Sequence, residues 1–308
     1  MVHTLAYWCK PNGHIPCQGD SDDIDARDQI SMGAMLFNDE TLKFLSQGVI
    51  DEENLWTFGT KGLEAYQALP AIVPEETSKF LADSGNYMLR SGWEPSSDYL
   101  RFHCGTMGSG HGHGDQLHID YYSAGEDILI DPGRYTYVDS AIRRELKLPS
   151  GHNTVCVDGE EFCECINSWG YSRMAVPVKG ECRFSGGVNF AMAGHLGYLN
   201  KGIFATRKVV TLEEGLILIA DVFYGNGLHS YDCRFHFGHL GEAALLSDGT
   251  DGPVRVHFEG QNVKAEVLAL RGTGSLSKAN CSPEYNLLQT CGCILVHHTQ
   301  EGTASLYP

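Results

Sequence analysis

The feature that most constrains the fold is a long series of short strand-like segments that begins after residue 78. Segments such as "NYMLRSGW", "DYLRFHCG" and "QLHIDYYS" are separated from their neighbours by Gly, Asp, Asn or Pro. No helical periodicity lies between them, so we do not expect a parallel sheet with helical crossovers. The pattern predicts a large antiparallel β-sandwich over residues 79–308.

Residues 1–78 have a different pattern, in which apolar residues recur every three or four positions. The segments "DQISMGAMLF", "DETLKFLS", "DEENLWTFG" and "KGLEAYQAL" predict short helices, with Asp39 or Glu40 and Asp51 at helix N-termini. The stretch "PAIVPEE" then predicts a linker. We therefore expect a mostly β chain with a short α-helical N-terminal part, divided into residues 1–78 and residues 79–308.

The charge of the chain disfavours two classes of partner. Its 308 residues carry 22 basic and 39 acidic side chains, a net charge of −17. Such a chain repels nucleic acid and anionic membrane surfaces. The best apolar run, "GLILIADVFYG", is interrupted by Asp221 and does not predict a membrane span. We therefore expect no nucleic-acid partner and no membrane partner.

The N-terminus and the cysteines bear on cellular location. "MVHTLAYWCK" lacks the apolar core and the cleavage site of a signal peptide. The eleven cysteines are scattered through strand-like segments, which predicts reduced, buried thiols. The CxC pairs do not have the CxxC spacing of a zinc ribbon. We expect a cytoplasmic location, or a secreted or periplasmic one if the natural protein has a further N-terminal part.

The stretch "GSGHGHGD", residues 108–115, places two histidines one residue apart among small residues. On an extended strand His111 and His113 would face the same side and reach one cavity. Asp131 ends a hydrophobic strand, and the intervening hairpin would return it toward the histidines. His152 follows in "SGHNTVCVDG". Two histidines and one aspartate with an open fourth position are a suitable zinc set.

Spacing alone leaves alternatives to this ligand set open. If the hairpin turn is centred on Ala124-Gly125, Asp131 lies opposite His118, which then becomes a rival ligand. The chain holds 14 histidines, so some lie near an aspartate by chance. A His-x-His pair is also found in cupins, but no glutamate follows the second histidine until Glu126. The cupin interpretation is therefore the weakest.

These motifs, in this order, resemble those of the heparinase II/III-like polysaccharide lyases. "SGHGHGDQLHIDYYSAGEDILIDPGRYTY" followed by "HNTVCVDG" is similar to the C-terminal β-sandwich of that family. There a His-Gly-His, an Asp-Pro-Gly-x-Tyr and a His-Asn-Thr segment follow one another. The resemblance covers roughly residues 79–308. "LAYWCKPNGHIPCQGDSDD" resembles the end of the α/α toroid that precedes the sandwich, so residues 1–78 would be remnant toroid helices.

The resemblance implies β-elimination on glycans that contain uronic acid. The C5 proton is removed and the 4-linked oxygen leaves, so the site must neutralise the carboxylate, supply a base and protonate that oxygen. Carried over to this sequence, His111 is the catalytic histidine. The family's metal ligands, usually for zinc, match His113, Asp131 and His152. The implied partner is a uronic-acid-containing oligo- or polysaccharide, and the charge of −17 favours small oligosaccharides over highly sulfated polymers.

Further candidate residues follow from the same motifs. Asn153 is expected to orient the ring of His152. Glycines beside the histidines would let a sugar chain lie close to the strand. The candidates for sugar stacking or carboxylate binding, which could equally be ordinary strand residues, are Arg134, Tyr135, Tyr137, Arg143 and Arg144.

One feature departs from the family pattern. The family's catalytic tyrosine lies on the toroid, well upstream of the sandwich, and neither Tyr7 nor Tyr66 lies in a segment that matches it. A toroid domain or a second protomer is therefore an expected partner. The alternative function is a non-catalytic, metal-stabilised carbohydrate-binding or structural sandwich. Helix faces without their usual neighbours also predict association or partial disorder within residues 1–78.

Overall fold

The computed structural model describes residues 1–307, in which four helices precede a set of antiparallel sheets. The helices are α1 Val2–Trp8, α2 Arg27–Phe37, α3 Glu40–Leu45, α4 Glu52–Ala68 and, within the sandwich, α5 Ala141–Lys147. The strands are β1 Lys79–Leu81, β2 Asn86–Arg90, β3 Tyr99–His103, β4 His118–Ser123, β5 Glu126–Leu129, β6 Val155–Val157, β7 Glu164–Cys165, β8 Tyr171–Arg173, β9 Pro177–Ser185, β10 Val188–His195, β11 Phe204–Thr211, β12 Ile217–Tyr224, β13 Leu228–His236, β14 Glu242–Asp248, β15 Val254–Glu259, β16 Lys264–Ala269, β17 Thr273–Glu284, β18 Leu287–Glu301 and β19 Ala304–Leu306.

The strands form five sheets, and neighbouring strands within each sheet are antiparallel. The orders are β1-β2-β3-β4-β5, β19-β12-β11-β10-β9, β17-β18-β13-β6, β14-β15-β16 and β7-β8. This confirms the mostly β sandwich preceded by helices. It also limits the prediction, because α5 adds a helix where only strands were expected.

Helices α3 and α4 begin at the acidic residues that the sequence predicts as their N-caps. The Asp39 side chain accepts hydrogen bonds from the backbone N–H groups of Thr41 and Leu42, and the Asp51 side chain accepts one from Asn54. These contacts satisfy N–H groups that the first turn leaves without partners. The two segments expected after Asp51 form one helix, α4, with a kink at Gly59, where φ is 64°.

The first sheet is covered on both faces, which explains why strands β2 and β3 are buried along their whole length. Side chains alternate along a strand, so Tyr87 and Leu89 face the main core between the sheets. Met88, between them, faces the helices and packs with Tyr99 and Tyr122. The helical segment is therefore seated on one face of the sheet that carries the candidate site.

Residues of the helical segment also have a small core of their own, which includes Ile30, Leu42 and Tyr66. Apolar side chains remain exposed on α2 and α4, notably Phe37 at 64% and Trp56 at 86%. All eleven cysteines are free thiols, and nine of them are buried. None of the helices within residues 1–307 is long and apolar enough to cross a bilayer.

Candidate functional site

Three loops bring the predicted metal ligands together. His113 lies in the loop between β3 and β4, Asp131 follows β5, and His152 precedes β6. Each offers one ligand atom, these atoms lie within 4.8 Å of one another, and all three residues are buried. Within residues 1–307 it is the one cluster of this kind. The geometry therefore contains a candidate His/Asp/His metal site.

The unpartnered atoms of the cluster are those that a metal would use. His113 Nδ1, Asp131 Oδ2 and His152 Nε2 are buried and have no hydrogen-bond partner. Their other polar atoms are engaged, since His152 Nδ1 donates to the Leu148 carbonyl at 2.9 Å and Asp131 Oδ1 accepts from Gly133 N–H at 2.9 Å. Leaving a buried polar atom unpaired is costly. Two nitrogens and one oxygen that converge in this way fit a divalent metal ion.

Burial determines the ionisation of the cluster. It raises the pKa of the Asp131 carboxyl to about 6, although the nearby His118 acts to lower it. It lowers the pKa of His152 to about 4 and also lowers the pKa of His113. Near neutral pH both imidazoles are thus uncharged, as metal ligands must be.

His118 lies close to the cluster but does not compete as a ligand. The turn is centred on Ala124-Gly125, because Ser123 pairs with Glu126, but a bulge between Tyr121 and Tyr122 shifts the register by one residue. His118 Nδ1 accepts the Asn153 backbone N–H at 3.0 Å, so its proton is on Nε2, which donates to Asp120 at 2.9 Å. Neither nitrogen has a free lone pair for a metal.

Asn153 braces the elements around the site. Its amide donates to the carbonyls of Ile119 and Ile130, and its Oδ1 accepts the backbone N–H of His236 at 2.7 Å. The Asn153 side chain does not contact the ring of His152 as expected, because the Leu148 carbonyl accepts the hydrogen bond from His152 Nδ1. Asn153 instead joins its own segment, which carries His152, to β4, to the residue before Asp131 and to the end of β13.

The prediction that His111 and His113 lie on an extended strand is wrong. Residues 104–117 form a loop, closed by a turn in which Gly112 N–H donates to the Ser109 carbonyl at 2.9 Å. His113 is buried at the metal cluster, whereas the side chain of His111 is 67% exposed. The two rings therefore face different surroundings, one within the buried cluster and one toward solvent.

The glycines beside the two histidines, Gly110, Gly112 and Gly114, pack against other parts of the protein. A Cβ added to Gly112 would lie 1.4 Å from the Met107 carbonyl oxygen, and one added to Gly114 would lie 2.6 Å from the Cys163 sulfur. Their role is close packing of the loop, so the room expected for a sugar at these positions is not there. The exposed side of His111 is an accessible part of the loop, as are Thr106, Gly108 and Ser109.

Asp20, in the loop between α1 and α2, contacts both His111 and His113. It was not identified as a site residue from the sequence. Its Oδ2 lies 2.7 Å from His111 Nδ1 and its Oδ1 lies 3.1 Å from His113 Nε2. Arg143 donates to both oxygens, at 2.9 and 2.8 Å. Burial acts to raise the pKa of Asp20, but the hydrogen bonds from His113 and Arg143 outweigh it and hold that pKa low. Asp20 is thus an ionised carboxylate. The run "GDSDD" was its only signal.

The arginines proposed for substrate binding are engaged within the protein. Arg143 is fully buried against Asp20, and Arg134 is buried with its Nη2 2.8 Å from Asp22 Oδ2. Arg144 is exposed and forms an ion pair with Asp139 at 2.7 Å. The structure brings Arg134 and Arg143 to the site but not as free cations at its surface.

Aromatic side chains surround the exposed face of His111. The ring centroid of Tyr137 lies 5.7 Å and that of Trp169 5.3 Å from the His111 ring, both edge-on. Tyr285 lies 5.4 Å from Tyr137, and all three aromatic residues are 38–45% exposed. Tyr135 is half-buried, with a φ of 60° and a carbonyl that accepts from Asn286 N–H. Sequence reasoning found Tyr137 but not Trp169 or Tyr285.

A cleft of about 490 Å³ opens beside the histidine loop. Its walls come from both parts of the chain, with Leu5 and Trp8 of α1 on one side and Met107 and His111 on the other. The tyrosines of the helical segment do not line this cleft. The Tyr66 hydroxyl forms a hydrogen bond of 2.7 Å with the Ser46 hydroxyl, and the Tyr7 hydroxyl donates one to the Glu76 carbonyl.

An antiparallel sandwich with a buried His/Asp/His cluster below an exposed histidine is the class of domain that the fold and the site define. A family model described as Heparinase II/III-like, C-terminal, matches residues 73–305. The chain therefore belongs to the heparinase II/III-like family through this domain, which confirms the resemblance found in the sequence.

Solved structures of similar fold include a heparan sulfate lyase and heparinase III. Heparan sulfate lyase HepC from Pedobacter heparinus is 15% identical with a TM-score of 0.78, over 99% of this chain and 45% of that chain. A structure of heparinase III is 17% identical with a TM-score of 0.77, over 99% of this chain and 47% of that chain. At such identities the likeness shows the fold, and this chain spans less than half the length of either. A comparison with curated protein sequences gives no match.

Proposed function

We propose that the chain is the sandwich part of a polysaccharide lyase that cleaves uronic-acid-containing glycans by β-elimination. The observation that carries the proposal is the exposed His111, linked through Asp20 to a buried cluster of His113, Asp131 and His152 in a member of this family. The names of the structural relatives, a heparan sulfate lyase and a heparinase, support a glycan that contains uronic acid as the substrate class.

His111 is proposed to act directly on the substrate. Its ring is exposed at the mouth of the cleft, and its Nδ1 is anchored to Asp20, which leaves the other nitrogen for a bound sugar. There the protonated ring would neutralise the uronate carboxylate, which makes the C5 proton more acidic, or the neutral ring would accept that proton on Nε2. The proton for the leaving oxygen is proposed to come from a toroid domain or a second protomer.

The aromatic residues beside His111 are proposed to position the sugar ring. Tyr137 and Trp169 are partly exposed beside His111, and flat aromatic surfaces pack well against the apolar faces of sugars. Arg134 and Arg143 would act through their ion pairs by holding this surface in place, since Arg143 lies 4.6 Å from the Trp169 ring and Arg134 4.6 Å from the Tyr137 ring.

Zinc is the metal proposed for His113, Asp131 and His152. Two imidazole nitrogens and one carboxylate oxygen are typical zinc ligands, and their unpartnered atoms converge here. Bound zinc would supply a fixed positive charge that holds the three loops together beneath His111. The chain's own residues would carry out the contacts with the substrate.

The proposal is tested by comparing the chain with its His111→Ala variant, each with a toroid-containing partner added, in a lyase assay on uronate oligosaccharides. The ultraviolet absorbance of the unsaturated product is followed and bound zinc is measured in parallel. We expect His111→Ala to retain the metal and to lose activity by roughly a hundredfold or more. His297→Ala, at an exposed position on β18, is the matched control and should keep both.

Two results would contradict the proposal. Full activity in His111→Ala would remove that residue from the reaction. Metal and oligosaccharide binding with no product in the unmodified chain, even when a toroid-containing partner is added, would favour the metal-stabilised carbohydrate-binding sandwich instead.

A further inference from the structure

We infer that Asp20 is the positioning residue of the site, because one carboxylate fixes the tautomers of both His111 and His113. Asp20 lies 91 positions from His111 and 93 from His113, in the helical segment rather than in the sandwich. Its side chain is 3% exposed, and water therefore has little access to it. No sequence motif of the sandwich contains this residue.

The argument rests on counting donors and acceptors at the carboxylate. Ionised Asp20 accepts hydrogen bonds and cannot donate them. Two guanidinium N–H groups of Arg143 and one nitrogen from each histidine ring occupy its four acceptor positions. Each histidine nitrogen that faces Asp20 must therefore carry a hydrogen.

The two histidines consequently present opposite nitrogens to their surroundings. His113 carries its hydrogen on Nε2, so the lone pair is on Nδ1, which is the unpartnered buried atom beside Asp131 and His152. His111 carries its hydrogen on Nδ1, so Nε2 is the nitrogen with a free lone pair when the ring is neutral. A single residue thus prepares one ring for the metal and the other for the substrate.

The main chain holds Asp20 in this position. Its backbone N–H donates to the His111 carbonyl at 3.1 Å, so Asp20 contacts that residue through both main chain and side chain. The preceding Gly19 has a φ of 57°, and a Cβ there would lie 2.5 Å from the same carbonyl oxygen. The close approach of the two loops requires glycine at position 19. The sandwich residues 79–308 alone would lack the acceptor that orients both rings.

The test is long-range proton–nitrogen NMR of the imidazole rings in the metal-free chain at mildly alkaline pH. His111→Ala and His113→Ala variants assign the signals. We expect the Nδ1–H form for His111 and the Nε2–H form for His113 in the unmodified chain. An Nε2–H form of His111 or an Nδ1–H form of His113 in the unmodified chain would overturn the inference, and this result does not depend on the folding of any Asp20 variant.

Asp20→Asn provides the second measurement. Its amide offers one acceptor oxygen and one donor nitrogen, so at least one of the two rings must change tautomer. Zinc affinity, measured by competition with a chromophoric chelator, should fall about 10-fold or more, as when a carboxylate behind a metal-bound histidine is removed. Asp22→Asn is the matched control, because Asp22 lies in the same loop and pairs with Arg134 rather than with a histidine.

Unchanged tautomers in Asp20→Asn, with a zinc affinity equal to that of Asp22→Asn, would also overturn the inference. The use of His111 Nε2 on a substrate rests on the proposed function. The tautomers and the zinc affinity do not rest on it, so these two measurements would test the role of Asp20 even if the chain had no lyase activity.

Discussion

Replacement of Asp131 by asparagine is predicted to have opposite effects on stability in the metal-free and the zinc-loaded protein. In the metal-free chain, burial raises the pKa of this carboxyl from 3.8 to about 6. At about 1.4 kcal/mol per pH unit, ionised Asp131 therefore costs the folded state about 3 kcal/mol at neutral pH. An asparagine carries no charge and avoids this cost.

The local contacts also favour the asparagine when no metal is bound. Its amide oxygen can keep the hydrogen bond from Gly133 N–H. Its amide nitrogen would take the place of Asp131 Oδ2, which lies 3.6 Å from His152 Nε2, an acceptor without a partner. We expect Asp131→Asn to raise the free energy of unfolding of the metal-free chain by up to about 3 kcal/mol at pH about 7.5.

The pH dependence has a defined sign. The folded protein binds this proton more tightly than the unfolded chain, so the contribution of Asp131 to stability is fully present below pH 3.8 and is lost as the pH rises through about 6. The advantage of Asp131→Asn should therefore disappear at about pH 4. With zinc, a ligand present at 1,000 times its Kd stabilises the unmodified chain by about 4 kcal/mol, and the variant should lose most of that gain.

Urea unfolding with and without zinc measures both effects. Asp221→Asn is the control, because Asp221 is a buried carboxylate paired with Arg207 at 2.6 Å. Breaking that pair should destabilise the protein by about 3–5 kcal/mol with or without zinc. If Asp131→Asn destabilises the metal-free protein as Asp221→Asn does, the reasoning about an unpartnered buried carboxylate is refuted.

Three further predictions concern other parts of the molecule. Burial lowers the pKa of His195 from 6.5 to about 3. The protein should therefore lose about 2 kcal/mol of its free energy of unfolding as the pH falls from about 7.5 to about 5, because the unfolded chain takes up a proton that buried His195 does not. His195→Asn should remove that share of the pH dependence in urea unfolding, whereas Phe162→Leu, at the neighbouring residue, should not. Trp169→Ala should weaken oligosaccharide binding roughly three- to tenfold in calorimetry, as expected for the loss of one aromatic contact, with zinc content unchanged. Asp51→Ala should lower the free energy of unfolding by about 1 kcal/mol in urea, because the N-cap hydrogen bond to Asn54 is lost.

The sandwich was predictable because its strands carry local signals. Strands such as β2, β3 and β4 carry aromatic and aliphatic residues, are followed by turn-forming residues, and each lies within the segment predicted for it. The seven-residue helices α1 and α5 were not predicted, because two turns give little periodicity and neither helix begins at an acidic cap such as Asp39, which marks the similarly short α3. The single helix α4 was predicted as two, since the sequence does not reveal whether Gly59 ends a helix or kinks it.

The candidate site was only partly predictable because its residues act across long sequence distances. His113, Asp131 and His152 were selected from the order of three motifs, and the structure places them together. Asp20 lies among several acidic residues in another part of the chain, and nothing local distinguishes it from its neighbours. The same distance hid Trp169 and Tyr285, which reach His111 and Tyr137 only after the loops pack.

The metal content of the purified chain tests the central claim most directly. Elemental analysis of the unmodified chain should find one zinc ion per chain, and the His113→Ala/Asp131→Ala double variant should contain none. A folded unmodified chain that contains no metal, and that gains no stability when zinc is added, would contradict the assignment of His113, Asp131 and His152 as ligands.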